Sequence, residues 1–140
     1  MRIREFMHVD QKQVIALWNE CGLVVPWNDP AEDIERKLKV GRELFLVGMM
    51  EDHLMATVMG GYDGHRGWLY YLAVHPKYQG QGYGQKIIEG IEQRLMERGC
   101  IKINLQVRRK NEKVIGFYQS LGYVEDEVVS LGKRLPAEDD

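Results

Sequence analysis

Cysteine is scarce in this chain of 140 residues: Cys21 and Cys100 are its only two. Neither has histidine partners nearby, so they frame no structural zinc site, and two lone thiols imply no disulfide framework. His8, His53 and His75 show no metal-ligand spacing either, so no metal is expected. Long apolar runs are missing, and nothing approaches the roughly 20 residues that span a bilayer. Excess charge of one sign is missing too. The formal net charge is −2, which gives no bulk attraction to nucleic acid or to acidic membranes. No repeat or low-complexity segment is visible. The N-terminal Met1-Arg2-Ile3-Arg4-Glu5 runs straight into folded-looking sequence without a signal peptide, so a soluble, reduced, cytoplasmic protein is expected.

Hydrophobic residues make up 44% of the chain, enough for a real core, and the length suits one domain. That domain is expected over residues 1–135, with 136–140 as a loose tail. Residues 3–6 read as a short strand. Asp10, with Gln13 three positions on, predicts a capped helix whose apolar face is Val14, Leu17, Trp18 and Cys21. Gly22 ends it. An apolar loop over 23–28 holds Val24, Val25, Pro26 and Trp27, either folded onto the core or forming a pocket wall. Asp29-Pro30 with Glu32 starts a second helix, buried through Ala31, Ile34 and Leu38. Residues 44–50, 54–62 and 67–74 then form an antiparallel meander, turned at Glu51-Asp52-His53 and at Asp63-Gly64.

The next stretch organises the chain. Leu72-Ala73-Val74-His75-Pro76-Lys77-Tyr78-Gln79-Gly80-Gln81-Gly82-Tyr83-Gly84 reads as a strand end, a proline break, a glycine-spaced turn and a helix start. Glycine lets the backbone bend and approach a ligand closely, and the unpaired N–H groups of a helix over about 82–98 would point into the turn. That makes either an anion site, most naturally for phosphate, or simply a flexible loop. A P-loop would need Gly-Lys-Ser/Thr, and Gln85-Lys86-Ile87 is not that. A dinucleotide fold would need an acidic residue on the next strand, and 103–107 has none. That strand, 101–107, alternates Ile101, Ile103, Leu105 and Val107, and its link through a helix predicts a parallel neighbour of the 67–74 strand. Asn111 starts a last helix with Val114, Phe117, Tyr118 and Leu121 on one face, and 123–135 reads as a final strand region.

Two blocks carry a family resemblance. Val74 followed by Gln79-Gly80-Gln81-Gly82-Tyr83-Gly84 resembles the Gln/Arg-x-x-Gly-x-Gly/Ala signature of the GNAT N-acetyltransferases. Asn111 with Val114-Ile115-Gly116-Phe117-Tyr118-Gln119-Ser120-Leu121-Gly122-Tyr123 resembles that family's C-terminal motif. The similarity covers nearly the whole chain. It implies an α/β fold: a mixed sheet, an antiparallel meander plus a parallel pair, with helices on both faces. It also implies an enzyme that transfers acetyl from acetyl-CoA to a primary amine by direct attack in a ternary complex. The alternative is a non-catalytic acyl-CoA-binding or regulatory module on the same fold.

On that resemblance the pyrophosphate of acetyl-CoA belongs at Gln79, Gly80, Gln81, Gly82, Tyr83 and Gly84. The pantetheine arm would add to the edge of the strand at Leu72, Ala73 and Val74, if that strand and its parallel neighbour splay apart. Asn111 would touch the arm as well as cap its helix. Tyr118 is either plain core or, as in the family, the acid that protonates departing CoA thiolate. The segment between the first two helices lines the acceptor site in GNAT proteins, which points to Trp27 and Asn28.

The base is where the pattern departs. Some members carry Glu in a Leu-Glu-Val context, whereas this chain reads Leu105-Gln106-Val107, and an amide takes no proton. His65, Asp63 and Asp29 remain as loop candidates, each also readable as a turn residue, or water is relayed through Gln106 or backbone carbonyls. Arg108-Arg109-Lys110 reads as a solvated loop or a contact to phosphates or an acidic acceptor. About 13 residues follow Gly122, short for the two strands that usually close the acceptor side. That side is expected to be open, or completed by a second subunit in a homodimer. The acceptor is a small-molecule or peptide amine.

Overall fold

The computed structural model describes residues 1–136; the remainder of the expected tail, 137–140, lies outside the described residues. The chain forms a first compact unit, Met1–Gln106, and a second that begins at Val107. The five strands found among the described residues all lie in the first: β1 (Arg2–Glu5), β2 (Phe45–Met50), β3 (His53–Tyr62), β4 (Gly67–Val74) and β5 (Ile103–Asn104). They stand side by side in sequence order. The first three pairings are antiparallel and β4–β5 is parallel, so the sheet is mixed as expected.

Alternation along β2 puts helices on both faces. Phe45, Val47 and Met49 pack with Val14, Leu17 and Trp18 of α1 (Gln11–Glu20) and Ile34 of α2 (Pro30–Gly41). Phe6 stacks on Phe45 at 4.5 Å. The opposite face takes α3 (Tyr83–Glu97), through Ile87, Ile88, Ile91 and Leu95. That helix lies close to the sheet backbone: a Cβ on Gly60 of β3 would sit 2.8 Å from Ile91 Cγ1. Each such side chain, fully buried, contributes roughly 1.5–3 kcal/mol.

The helix ends follow local chemistry, with one correction. Asp29 caps α2, its Oδ1 accepting the Ala31 and Glu32 N–H groups at 2.9 and 3.3 Å. Gly22 follows α1 at φ +69°. Asp10, expected to cap α1, does not. Its buried carboxylate accepts from Arg4 Nη1 and Nη2 at 2.7 and 2.9 Å and from the Met7 N–H at 2.8 Å. Arg4 offers two charge-assisted donors, which outcompete a neutral backbone N–H. Gln13, the other half of the expected capping box, turns its Oε1 to the Leu54 N–H at 3.3 Å.

Two strand expectations also need correction. The strand expected over 101–107 is only Ile103–Asn104, with Ile101 90% exposed. The region 123–135 contains no strand at all among the described residues. Val124, Val128, Val129, Leu131 and Leu135 there are each at least 76% exposed. β-propensity records fit to a pleated, half-buried surface, and without a ladder it makes no strand. The second unit carries α4 (Glu112–Ser120), closed by Gly122 at φ +95°.

Candidate active site

β4 outruns its parallel neighbour. The ladder to β5 contains only Gly67↔Ile103 and Trp68↔Asn104, while β4 continues to Val74. The Gly67 N–H also donates to Lys102 O at 2.9 Å. From Leu69 to Val74 the strand has a ladder to β3 alone. Among the described residues this edge carries no ladder, so its backbone groups suit pairing with another extended chain, at the C-terminal ends of the strands, where α/β sheets take their ligands. Leu72, Ala73 and Val74 lie on this stretch; the Ala73 side chain is buried in the core, so any contact there is through backbone.

A tight, internally bonded turn follows. Residues Pro76–Tyr78 make one 3₁₀ turn, capped by His75 Nδ1 accepting the Lys77 N–H at 3.1 Å. His75 Nε2 meets Glu20 Oε2 at 2.9 Å. Gln79 Nε2 donates back to Val74 O at 2.8 Å, a carbonyl that also receives the Cys21 thiol at 3.4 Å. Gln81 Nε2 donates to Lys77 O at 3.2 Å. The two glutamine amides thus stitch the turn itself.

Gly80 and Gly82 adopt φ +76° and +87°, conformations that L side chains rarely take. A Cβ built on either would meet no protein atom within 4 Å, so space beside the backbone is clear. Gly82 caps α3, whose first bond in this turn is Lys86 N–H to Gly82 O at 3.2 Å. The N–H groups of Tyr83, Gly84 and Gln85 precede it, at the positive end of the helix dipole. Backbone N–H donors, a helix N-terminus and glycine clearance together suit an anion. Tyr83 packs edge-on to Tyr78, centroids 6.1 Å apart, with Lys86 Nζ 5.7 Å above its ring.

A feature the sequence did not announce lies midway along β4. Thr57 pairs with Ala73 and Met59 with Tyr70, so Tyr71 and Leu72 together face the single Val58. This is a β-bulge, and Tyr71 stands at φ +53°. A bulky residue there costs on the order of 1–3 kcal/mol and persists only where its surroundings over-determine it. They do. Trp18 stacks on the Tyr71 ring at 3.9 Å. Trp18 Nε1 donates to Thr57 Oγ1, which donates to Tyr71 O, each at 2.9 Å. The Tyr71 hydroxyl donates to Asp33 Oδ2 of α2 at 2.5 Å, and Arg36 Nη1 holds Asp33 Oδ1 at 2.9 Å. Burial, then the bond to Asp33, pushes the Tyr71 hydroxyl far above the usual phenol range. All eight residues of β4 are non-charged and show no alternation that would betray a bulge.

In the second unit, Asn111 caps α4, its Oδ1 accepting the Val114 N–H at 3.4 Å. Tyr118 is 7% exposed, with the rings of Phe117 and Tyr123 edge-on at 5.2 and 5.5 Å. Burial pushes its hydroxyl up to about 12.

The remaining candidates separate. Leu23 and Val24 pack on the core, whereas Trp27 and Asn28 are exposed. Gln106 is exposed, just past β5. Asp29 is used as a helix cap. Asp63 Oδ1 accepts the His65 and Arg66 N–H groups at 2.7 Å each, and these bonds hold its carboxyl below the usual range. Asp63 is a turn residue, and a carboxyl held so low is a poor base. Arg108, Arg109 and Lys110 are exposed. Among the described residues no group of three or more His, Cys, Asp or Glu is placed to hold a metal, and no helix is long and apolar enough to cross a membrane.

A mixed sheet whose fourth strand leaves its parallel partner and enters a glycine-capped helix is the architecture of an acetyltransferase family. The model of the acetyltransferase (GNAT) family matches residues 10–123. The chain belongs to that family. An acetyltransferase from Yersinia pestis (strain Pestoides F) is 50% identical over 135 residues, covering 96% of each chain. One from Sodalis glossinidius is 52% identical over 136 residues, again 96% of each. Among solved structures, a putative acetyltransferase from Agrobacterium tumefaciens str. C58 shares the fold at TM-score 0.78 and 15% identity, covering 96% of this chain and 100% of that one. AAC(6')-Iy, solved with a CoA-linked bisubstrate analogue, shares it at TM-score 0.77 and 16% identity, covering 96% and 98%. The protein is an acetyltransferase by family.

Proposed function

We propose that the protein transfers acetyl from acetyl-CoA to a primary amine, the amine attacking the thioester directly while both substrates are bound. The observation that carries the reading is the open edge of β4 running into the Gly80–Gly82 turn. An extended, amide-bearing arm pairs with Leu72, Ala73 and Val74, and the pyrophosphate receives the N–H groups at Gly82, Tyr83 and Gly84. Gln79 and Gln81 contribute by holding the turn in shape. The complex solved for AAC(6')-Iy, in which a CoA moiety is joined to an acetylated amine, supports the substrate class.

The amine nitrogen forms a bond to the thioester carbon, the C–S bond breaks, and the sulfur leaves with the electron pair. The amine sheds a proton, and the sulfur needs one. Tyr118 is assigned to the sulfur. A phenol near 12 does not fully give its proton to a thiolate of ordinary basicity, near about 8.5. Tyr118 therefore acts by hydrogen bonding to the developing charge, completing transfer where apolar surroundings lift the thiolate's basicity as well. Asn111 caps α4 and offers its remaining polar groups to the arm. Trp27 and Asn28, exposed before α2, and Gln106 are assigned to the acceptor amine, a small molecule or a peptide.

Thermal unfolding with and without acetyl-CoA tests the donor assignment, since a ligand bound only by the native state stabilises it by about 2.7 kcal/mol at 100 times its Kd. A melting curve unmoved by excess acetyl-CoA removes it. CoA release against a panel of amines tests the chemistry, and binding without turnover on any of them would favour a non-catalytic module.

A further inference from the structure

The Tyr71 bulge lies in the part of β4 that has a ladder on one side only. Ladder bonds on both edges normally fix the direction of a strand's backbone groups. Where one set is missing and the other is interrupted by a bulge, side chains must fix it. Three elements do so here. Trp18 of α1 stacks on the ring, Thr57 of β3 holds the carbonyl, and Asp33 of α2 receives the hydroxyl. Stacking and the Thr57 bond already account for packing at this point. The Asp33 bond is an additional tie, at the far end of the ring. Its carboxylate is itself fixed by Arg36, so both oxygens are engaged, Oδ1 by Arg36 and Oδ2 by Tyr71. A carboxylate so occupied is suited to holding its partner.

We infer that Asp33 is a positioning residue for acyl transfer: by receiving the Tyr71 hydroxyl it pins the β4 bulge, and with the Tyr71 carbonyl held by Thr57 the bulge aims the remaining backbone N–H groups of Tyr71 and Leu72 at the acyl end of the bound acetyl-CoA. This rests on the function proposed above. The clamp does not create the cofactor site. The turn at Gly80–Gly82 does that, so loss of the clamp leaves binding in place and misdirects the carbonyl.

The test uses wild type, Tyr71→Phe, Asp33→Ala and Asp33→Asn, with acetyl-CoA labelled by carbon-13 at the carbonyl. The stretching band of the bound carbonyl is read by isotope-edited infrared difference, which needs no acceptor. Kinetic constants are read by CoA release with the best amine of the panel. The wild-type band should lie at lower wavenumber than that of free acetyl-CoA. In Tyr71→Phe and Asp33→Ala it should broaden and move back toward the free position, and kcat should fall about tenfold, with the acetyl-CoA melting shift and KM retained. Asp33→Asn keeps an oxygen for the tyrosine and should recover most of both. A wild-type band at the free position overturns the inference. So does a wild-type band and kcat in Tyr71→Phe, which keeps the ring and its packing. A loss in Asp33→Asn equal to that in Asp33→Ala also overturns it, because charge rather than hydrogen bonding would then matter. Absence of any acetyl-CoA melting shift in wild type instead overturns the proposed function, a result separable from all of these.

Discussion

Gly67 opens β4 and Gly82 closes the turn that follows it, and glycine is required at the two positions for opposite reasons. At Gly67 the strand is paired with Tyr62 on one side and Ile103 on the other, and the Gly67 N–H donates to Lys102 O. A Cβ there would lie 2.7 Å from Cys100 Sγ and 3.3 Å from Ile103 Cγ1. Gly67 is small because protein fills the space. At Gly82 a Cβ meets nothing within 4 Å, and what demands glycine is φ +87° at the head of α3. One end of β4 is built for packing and the other leaves backbone accessible. Substitutions at the two ends should therefore fail in different assays.

The largest effect is expected at the open end. Gly82→Asp places a side chain and a negative charge where the pyrophosphate is proposed to bind. The whole acetyl-CoA-dependent stabilisation, about 2.7 kcal/mol at 100 times the wild-type Kd, should vanish. A variant that still responds to acetyl-CoA as wild type does would put the phosphates elsewhere. Next comes Tyr118→Phe, which should leave the melting shift nearly intact and lower kcat by about 10² or more. A kcat near wild type would return Tyr118 to being core alone. Gly67→Ala should do the reverse: a loss of roughly 1–3 kcal/mol in unfolding free energy from overpacking against Cys100, with the response to acetyl-CoA kept. A Gly67→Ala protein of normal stability that no longer responds to acetyl-CoA would erase the distinction between the two ends.

Sequence patterning resolved the closed parts of this molecule better than the open ones. The helices α1, α2 and α3 follow from their apolar spacing, and β4 has the bounds that its composition and Pro76 predict. The turn was legible because Gly80, Gly82 and Gly84 are rare neighbours with a simple backbone consequence. What stayed hidden depends on partners. β5 shrank to Ile103–Asn104 because alternation marks a face but does not supply a ladder to pair with. The aliphatic residues of 124–135 look strand-like for the same reason. Tyr71 and Asp33 meet across 38 positions, through a bulge that exists only as a register difference between β3 and β4. The motif marks Gln79 and Gln81 but not what their side chains do, which is to donate to Val74 O and Lys77 O within the turn.

The smallest effect, and the one that discriminates most about chemistry, is a pH profile. The described residues offer no carboxylate that strengthens the case for a dedicated base: Asp29 caps α2, and Asp63 is held below the usual range by the Arg66 and His65 N–H groups. The amine then loses its proton to water or to a relay through Gln106. An alkyl amine resembles lysine, near about 10.4, so its neutral fraction at pH 7 is below about 10⁻³ and grows tenfold per pH unit. The kcat/KM profile should climb through pH 8 and 9, with an upper inflection that follows the acceptor's own basicity. Tyr118 does not cut the climb short. Its hydroxyl is raised to about 12 by burial, so the acid form persists throughout. The sign for stability agrees. A phenol whose folded value exceeds the unfolded value of about 10 contributes stability that is complete below about pH 10 and is lost as the pH rises toward 12. The climb can therefore be measured before that loss begins. Gln106→Glu should flatten it by restoring a base. A plateau reached by about pH 7 for acceptors of different basicity would contradict a base-free mechanism and direct mutagenesis to His65 first.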